Sequence, residues 1–105
     1  MNIYISQPIT GLPKQHYEKV RKTLEDLCII EFGKGKCTFV NRYITEKPPV
    51  CKNNLLWYIG QSIDRLCRAD IVVMVKDADK VSKGCRIEKL CAELYGIPIF
   101  EKELL

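Results

Sequence analysis

The sequence predicts an α/β fold of three layers, in which a parallel sheet of about four strands, in the order 2-1-3-4, carries helices on both faces. Short apolar runs typical of strands alternate along the chain with longer segments whose apolar residues recur at helical spacing. The strand runs are apolar at successive positions, as expected for a sheet that is covered on both faces. Alternating strands and helices favour right-handed crossovers, which build a parallel sheet.

The first half of the chain supplies two of the strands and one helix. Asn2–Ser6 is predicted as strand 1, and two prolines and a glycine make Gln7–Pro13 a loop. The helix that follows has one apolar stripe and ends at Gly33 and Gly35. Cys37–Asn41 is predicted as strand 2. The stripe of the helix consists of Tyr17, Val20, Leu24, Leu27 and Cys28.

The second half repeats this pattern after a long loop, Arg42–Asn53, which contains consecutive prolines. A second helix leads to strand 3, Asp70–Val75, and a polar loop, Lys76–Lys83, follows it. The chain then turns at Gly84 into the last helix, and Ile97–Phe100 is strand 4. The apolar stripes of these helices are Leu56, Ile59, Ile63, Leu66 and Cys67, and then Ile87, Leu90, Cys91 and Leu94.

Length and composition predict one small domain that comprises residues 1–105. No apolar run approaches the ~20 residues needed to span a bilayer, and the first residues are typical of a strand rather than a signal peptide. We therefore expect a cytoplasmic protein with no membrane partner. The net charge of +4 is small and its basic residues are dispersed, which argues against duplex nucleic acid and suits a small anionic ligand.

The six cysteines contain no C-x-x-C pair, and the single histidine, His16, is distant from them in sequence. We therefore predict no metal site, no cofactor and no disulfide bonds. Cys28, Cys67 and Cys91 lie on apolar stripes and are predicted as small buried residues. His16 is expected to be exposed in the first turn of its helix.

The predicted strand order places a switch point between strands 1 and 3, where flavodoxin-like and Rossmann-like sheets bind their ligands. The three loops Gln7–Pro13, Arg42–Asn53 and Lys76–Lys83 would converge there. Backbone N–H groups and short polar side chains beside helix N-termini form a cradle for phosphate or another anion, although glycine turns of this kind also close ordinary loops. These residues are Ser6, Thr10, Gly11, Ser82 and Gly84.

Glu88 is the strongest candidate for a catalytic residue. Its neighbours three and four positions away are all small and uncharged, whereas a solvated helical glutamate usually has a Lys or Arg there. A carboxylate beside an anion cradle repels phosphate, but it can attack the anomeric carbon of a sugar whose phosphate is held nearby. Tyr4 either donates a hydrogen bond to this carboxylate or is an ordinary core tyrosine.

The opening residues Ile3–Leu12 (IYISQPITGL) resemble the IYISGPITGL start of a group of small uncharacterised proteins. These proteins are related to nucleoside 2-deoxyribosyltransferases and to 2'-deoxynucleoside 5'-phosphate N-hydrolases. The resemblance continues in order through Trp57, Ala69–Val72, Ser82–Glu88 and Ala92–Ile99, which is nearly the whole chain. Its most specific part is the S-x-G-x-x-x-E element that ends at Glu88.

The resemblance implies a protein that cleaves or transfers the N-glycosidic bond of a (deoxy)nucleoside 5'-phosphate or related nucleotide. Glu88 takes the position of the nucleophile, Tyr4 that of a tyrosine in contact with it, and Ser82 that of a serine that binds the 5'-phosphate. A homodimer or larger homo-oligomer is also implied, and the exposed edge strands of so small a sheet agree with that. The binding residues would be Ser6, Gln7, Pro8, Ile9, Thr10, Gly11, Trp57, Ser62, Ser82 and Gly84.

Three departures from the family pattern favour an alternative, a catalytically weak or inactive module that binds or sequesters a nucleotide-derived signal. Ser62 stands where the family has an aspartate that handles the leaving base, and Gln7 replaces a glycine. The chain also ends soon after strand 4, without the additional strand of the transferases. In such a module, Arg42, Lys47 and Lys52 would clamp anionic groups. A scaffold for a protein partner is a third possibility.

Several further residues have two interpretations each. The aromatic pair Trp57 and Tyr58 stacks on a base at the rim of the crevice, or it seals the core or a dimer interface. Lys83 and Arg86 flank the Ser82 loop and either meet phosphate or are solvated. Asp70, at the start of strand 3, is expected to orient a loop rather than to act in catalysis.

Overall fold

The computed structural model describes residues 1–42 and 44–104 and has the predicted α/β fold. Its strands are β1 (Asn2–Ser6), β2 (Thr38–Phe39), β3 (Ile71–Val75) and β4 (Ile99–Lys102), and its helices are α1 (Lys14–Phe32), α2 (Asn54–Leu66), α3 (Ala78–Val81) and α4 (Lys83–Leu94). All strands are parallel, in the order β2-β1-β3-β4. Position 43, in the predicted loop after strand 2, and position 105 lie outside the described residues. Within the described ranges, no helix has the length and apolarity required to cross a membrane.

The two central strands, β1 and β3, are apolar on both sides and divide the core into two layers. Ile3 pairs with Ile71 and Ser6 with Met74, so both strands end together at the carboxyl edge of the sheet. Side chains alternate across a strand, so Tyr4 faces one layer while its neighbours face the other. The α1 layer contains Ile3, Ile5, Leu24, Cys28, Ile71 and Val73, and the opposite layer contains Tyr4, Leu66, Val72, Met74, Ala78, Cys85 and Ala92.

Strand 2 is shorter than the predicted Cys37–Asn41, because only Thr38–Phe39 pairs with β1 as a strand. Beyond Phe39, the side chain of Asn41 makes the hydrogen bonds to β1 that the backbone of a longer strand would make. Its Oδ1 accepts from the backbone N–H of Ile5 at 2.8 Å, and its Nδ2 donates to the Ile5 carbonyl at 2.8 Å. The chain can therefore leave the sheet early without unpaired backbone groups on β1.

Strand 4 begins two residues later than predicted, since it runs over Ile99–Lys102 rather than Ile97–Phe100. The N–H of Ile97 donates instead to the carbonyl of Ala92, at the end of α4, at 2.8 Å. Pro98 has no N–H to donate, although its carbonyl accepts from Val72 at 2.9 Å. Regular pairing therefore starts after the proline.

The segment predicted as a polar loop, Lys76–Lys83, contains the short helix α3. Asp77 adopts a left-handed conformation (φ 62°), and Ser82 ends α3 and caps α4 by accepting from the N–H of Cys85 at 3.2 Å. The predicted turn at Gly84 is therefore wrong, because Gly84 lies inside the first turn of α4. Glycine at this position lets α4 pack close to α2, since a Cβ there would lie 3.1 Å from Cδ1 of Ile59.

The predicted apolar stripe of α4 is only partly buried, since Ile87 and Cys91 are half-buried but its two leucines are not. Cys85, Glu88 and Ala92 are its buried residues, whereas Leu90 is 53% exposed and Leu94 is 71% exposed. Small side chains let α4 pack close to the sheet, which leaves the larger leucines on its outer side. The leucines therefore form an apolar surface that the described chain does not cover.

The apolar stripe of α2 is also only partly buried. Leu66 is buried, but Leu56 is 64% exposed. Cys67 is exposed rather than buried as predicted, and its Sγ donates to the carbonyl of Asp64 at 2.9 Å. Cys28 is buried and Cys91 half-buried. We use the term outer apolar face for the exposed leucines of both helices, which are Leu55, Leu56, Leu90 and Leu94.

Candidate functional site

The carboxylate of Glu88 is buried (7% exposed) and is held at both of its oxygens. The hydroxyl of Tyr4 donates to Oε2, and the hydroxyl of Ser6 donates to Oε1 at 3.0 Å. Both donors lie on β1, two residues apart, and therefore point to the same side of the sheet. The predicted contact between Tyr4 and Glu88 is present, and Ser6 supplies a second hydrogen bond to the carboxylate.

Burial determines the protonation states around this carboxylate. It raises the pKa of Glu88 to about 7, against the opposing effect of the hydrogen bonds from Tyr4 and Ser6. Burial, together with the charge of Glu88, raises the pKa of Tyr4 far above its usual value. Burial also raises the pKa of Cys85. Near neutral pH, therefore, Tyr4 and Cys85 stay protonated while Glu88 exchanges between acid and carboxylate.

A groove of about 1030 Å³ runs along the carboxyl edge of the sheet and reaches Glu88. The loops after β1, β2 and β3 all contribute to its walls, as the strand order predicts, and so do the first turns of α2 and α4. The predicted site residues that line it are Tyr4, Gln7, Pro8, Ile9, Thr10, Ser62, Ser82, Gly84 and Glu88. This edge of the sheet is therefore the candidate binding site.

Three of the predicted binding residues do not line the groove. Ser6 is only 1% exposed and contacts the carboxylate instead. Gly11 lies in an exposed turn with φ 80°. Trp57 packs edge-to-face against Tyr58, with ring centroids 5.0 Å apart, and Tyr58 is the aromatic residue that lines the groove. A base bound in the groove could therefore stack on the ring of Tyr58 but not on that of Trp57.

Gln7 lies in the wall of the groove with one end of its amide unpaired. Its Nε2 donates to the carbonyl of Tyr17 at 2.9 Å, while its buried Oε1 has no partner among the described residues. A carbonyl can only accept, so the nitrogen must face Tyr17 and the oxygen must be the unpaired end. Gln7 therefore braces the loop after β1 against α1.

The groove is strongly cationic except at Glu88, which is the only acidic side chain among the described residues that line it. Four basic side chains line it, namely Arg21, Arg42, Arg65 and Lys83. Lys47, Lys52 and Arg86 are not among the residues of its walls. An anionic ligand therefore matches the groove, as the sequence suggested.

Arg21 is a site residue that the sequence analysis missed. It is buried on α1, where its Nε lies 2.5 Å from Glu25 Oε2 and its guanidinium also donates to the backbone carbonyl of Asn41. The missed signal was its spacing, because Arg21 lies three residues before Leu24 and seven before Cys28, on the buried stripe of the helix.

Among the described residues that line it, the groove has one carboxyl group, where glycoside hydrolysis normally uses two. Ser62 donates its hydroxyl to the carbonyl of Tyr58 at 3.2 Å. Asp64, the nearest acid in sequence, is exposed, pairs with Arg68 at 3.1 Å, and is not part of the groove. Across the described part of the chain, no group of three His, Cys, Asp or Glu residues is arranged to hold a metal ion. The site can therefore supply a nucleophile and an anion-binding surface.

Asp70 lies far from this site, at the amino-terminal edge of the sheet. Its Oδ2 accepts from the backbone N–H of Asn2 at 2.7 Å. The carboxylate thus orients the first residues of β1, in agreement with the expected structural role.

No protein-family model matches the sequence, and no curated protein matches it. The fold is similar to that of a conserved protein from Enterococcus faecalis V583, whose crystal structure superposes with a TM-score of 0.63 at 16% sequence identity. The match covers 95% of this chain and 61% of that chain, so this chain spans less than two thirds of its length. At this identity the similarity establishes the fold alone.

Proposed function

We propose that the protein binds a (deoxy)nucleoside 5'-phosphate or a related nucleotide in the groove and cleaves or transfers its N-glycosidic bond. One observation carries this proposal. Glu88 is buried, is held at both oxygens by Tyr4 and Ser6, and lies in a groove whose other charged side chains are all basic. The resemblance to nucleoside 2-deoxyribosyltransferases and the related N-hydrolases supports the choice of substrate.

The start of α4 would hold the 5'-phosphate. Ser82 accepts from the N–H of Cys85 through its oxygen, so its hydroxyl proton is available to a phosphate oxygen. The positive end of the α4 dipole and Lys83, which also lines the groove, favour the same anion. The sugar would then lie over Glu88, in the next turn of the helix.

Glu88 would act as the nucleophile. One carboxylate oxygen forms a bond to the anomeric carbon, and the base leaves with the electron pair of the N-glycosidic bond. Because the groove offers no second carboxyl group, the departing base takes its proton from water. Water or a second base then attacks the glycosyl ester and releases Glu88. Tyr4 and Ser6 are positioning residues that keep the carboxylate in line.

The lack of a second acid favours one alternative function, a module that binds a nucleotide-derived signal with little or no turnover. A general acid typically contributes about 10²–10⁴-fold to a rate. A groove with Ser62 where the related family has an aspartate would release an ordinary base slowly. Binding itself needs only the cationic walls and the N-terminus of α4.

We also propose that the protein forms a homodimer through the outer apolar face. Leu90 and Leu94 are exposed, and a second copy would remove them from water. Leu55 and Leu56 belong both to this face and to the walls of the groove. A partner that covers these two leucines would also narrow access to Glu88, and the resemblance likewise implies an oligomer.

The proposed function is tested by incubating the protein with a panel of deoxynucleoside 5'-monophosphates and separating free base by chromatography. Calorimetry with the same panel measures binding. Glu88→Gln is the inactive variant, and Glu93→Gln, an exposed glutamate on the same helix outside the groove, is the matched control. Free base from wild type and Glu93→Gln, but not from Glu88→Gln, supports the enzyme.

The remaining outcomes separate the two functions. Tight binding with the nucleotide recovered intact supports the binding module instead of the enzyme. No free base and no heat with any member of the panel would contradict both functions.

A further inference from the structure

We propose that the groove binds a second anionic group of its ligand at Arg42 and Arg65, about one nucleoside away from the phosphate at Ser82. The ligand class is then a nucleotide with two separated phosphate groups. This inference rests on the proposed function, because it takes Ser82 and Glu88 as the site of the first phosphate and its sugar.

The size of the groove leaves room for such a ligand. Its volume of about 1030 Å³ lies just above the range of about 300–1,000 Å³ typical of pockets that bury a drug-sized molecule. A second depression, of about 460 Å³, is lined by Arg21, Glu25, Arg42 and Thr45. The two cavities share Arg21 and Arg42, so a binding surface extends past the groove at its arginine end.

Arg65 is a largely buried cation without a strong counterion. Its side chain is 20% exposed, yet its nearest carboxylate oxygen, on the exposed side chain of Glu46, is 3.9 Å away. Its other contact is a long hydrogen bond of 3.4 Å to the carbonyl of Gln61. A guanidinium carries five N–H donors and binds carboxylate or phosphate at about 2.7–2.9 Å. Several N–H groups of the Arg65 guanidinium are therefore available to bind an anionic ligand.

Arg42 adds a second available guanidinium, and Arg21 fixes its position. Among the described residues, Arg42 has no ion pair. The residue before it, Asn41, is bound to both backbone groups of Ile5 and, through its own carbonyl, to Arg21. Arg21 is neutralised by Glu25 and is therefore a positioning residue.

The strand order sets the distance between the two anion sites. Ser82 follows β3, whereas Arg42 follows β2, and β1 lies between these strands. Neighbouring strands are about 4.8 Å apart, so the ends of β2 and β3, from which these two segments start, are separated by two spacings, roughly 10 Å. One nucleoside unit over Glu88 can bridge this distance. A ligand with a phosphate at each end of that nucleoside would contact both sites.

Calorimetry with three probes tests the inference. The probes are deoxyadenosine 5'-monophosphate, deoxyadenosine 3',5'-bisphosphate and a 5'-phosphorylated deoxyadenosine dinucleotide. We expect at least one of the two probes with a second phosphate to bind wild type about tenfold or more tightly than the monophosphate, as a charge-assisted contact predicts. A preference for the dinucleotide identifies a phosphodiester as the second anion, and a preference for the bisphosphate identifies a terminal phosphate.

Arg42→Ala and Arg65→Ala should each lower the affinity for the probes with a second phosphate by a much larger factor than the affinity for the monophosphate, and so remove most of this advantage. Arg68→Ala is the matched control, because Arg68 is exposed, pairs with Asp64 and lies outside the groove. Thermal melts of all variants verify folding. Arg42 is exposed, so Arg42→Ala is decisive even if Arg65→Ala lowers the melting temperature.

Equal affinity of wild type for all three probes would overturn the inference and leave the proposed function standing. The same conclusion follows if Arg42→Ala retains the full advantage, or if Arg68→Ala loses as much as Arg42→Ala does. If the monophosphate itself does not bind, the proposed function fails, and the inference fails with it.

Discussion

A single buried carboxyl group dominates the site at the scale of residues. Transfer of Glu88 from water costs free energy when it is ionised, and two hydroxyl groups only partly offset this cost. Stability is therefore lower than it would be with an uncharged residue at this position.

The stability of the protein should depend on pH through Glu88. Its pKa rises from 4.5 in the unfolded chain to about 7 in the fold, a difference equivalent to about 3 kcal/mol. Below pH 4.5 both states are protonated and the penalty is absent. It grows as the pH rises towards 7, because only the unfolded state ionises, and it is constant above that.

Glu88→Gln removes this titration. The free energy of unfolding of Glu88→Gln relative to wild type should therefore increase by up to about 3 kcal/mol between pH 4.5 and pH 8. Urea denaturation across this range measures it, with the exposed Glu93→Gln as control. Parallel stability curves for wild type and Glu88→Gln would show that the carboxyl group is not buried as described.

Tyr4→Phe should shift the pH dependence of catalysis. The hydrogen bond from Tyr4 lowers the pKa of Glu88, so its loss raises that pKa above about 7. If the carboxylate is the nucleophile, the rising limb of kcat/KM moves to higher pH. Base release should therefore fall more at pH 6.5 than at pH 8.5. An equal loss at both pH values would indicate a role unrelated to the ionisation of Glu88.

Helix termini determine the site at the scale of elements. α4 begins at the groove because Ser82 caps it there, and Gly84 lets its first turn pack against Ile59 of α2. The short helix α3 brings the chain from the end of β3 to this cap. Ser82 and Glu88, the proposed phosphate-binding residue and the proposed nucleophile, therefore lie on consecutive turns of one helix, at a spacing that the helix itself maintains.

Substitutions at Ser82 should separate capping from phosphate binding. Ser82→Ala removes the cap and should cost about 1 kcal/mol of stability. Ser82→Asp can cap the helix equally well, so it should retain stability, but its charge should repel a phosphate. Thermal melts and calorimetry with a nucleoside monophosphate compare the variants. Undiminished nucleotide affinity in Ser82→Asp would exclude this end of the groove as the phosphate site.

Uncovered apolar surface is the main feature at the scale of the whole molecule. Leucines of α2 and α4 face outward because smaller side chains occupy the interface between α4 and the sheet. Exposed leucines of this kind are typical of an interface between protein chains. The groove opens beside Leu55 and Leu56, so association would change the site as well as the surface.

Leu94→Lys should weaken the proposed homodimer, because it places a charge on the outer apolar face. Leu94 is 71% exposed, so the fold itself should tolerate the change. Ile30→Lys is the matched control, since Ile30 is 80% exposed on α1, across the sheet. Sedimentation velocity measures the result, with Leu94→Lys shifted towards monomer and Ile30→Lys unchanged. A monomeric wild type would contradict the dimer.

Much of this architecture could be predicted from local pattern. The alternation of strands and helices predicted the parallel sheet and its order 2-1-3-4, and the small neighbours of Glu88 indicated that its side of the helix is buried. Both signals depend on residues close together in sequence. The late start of β4 depends on the hydrogen bond from Ile97 to Ala92 at the end of α4, and the helix inside the Lys76–Lys83 segment is too short to show an apolar spacing.

The sequence by itself determined the order of elements, the edge of the sheet where the groove opens, and the burial of Glu88 beside it. Only the tertiary structure decided that Leu90 and Leu94 are exposed, that Arg21 lies buried beside Asn41, and that Tyr58 rather than Trp57 lines the groove. The spacing of apolar residues along the sequence indicates which of them share one side of a helix. Which side faces the protein depends on how closely the neighbouring elements can pack, and side chains distant in sequence set that distance.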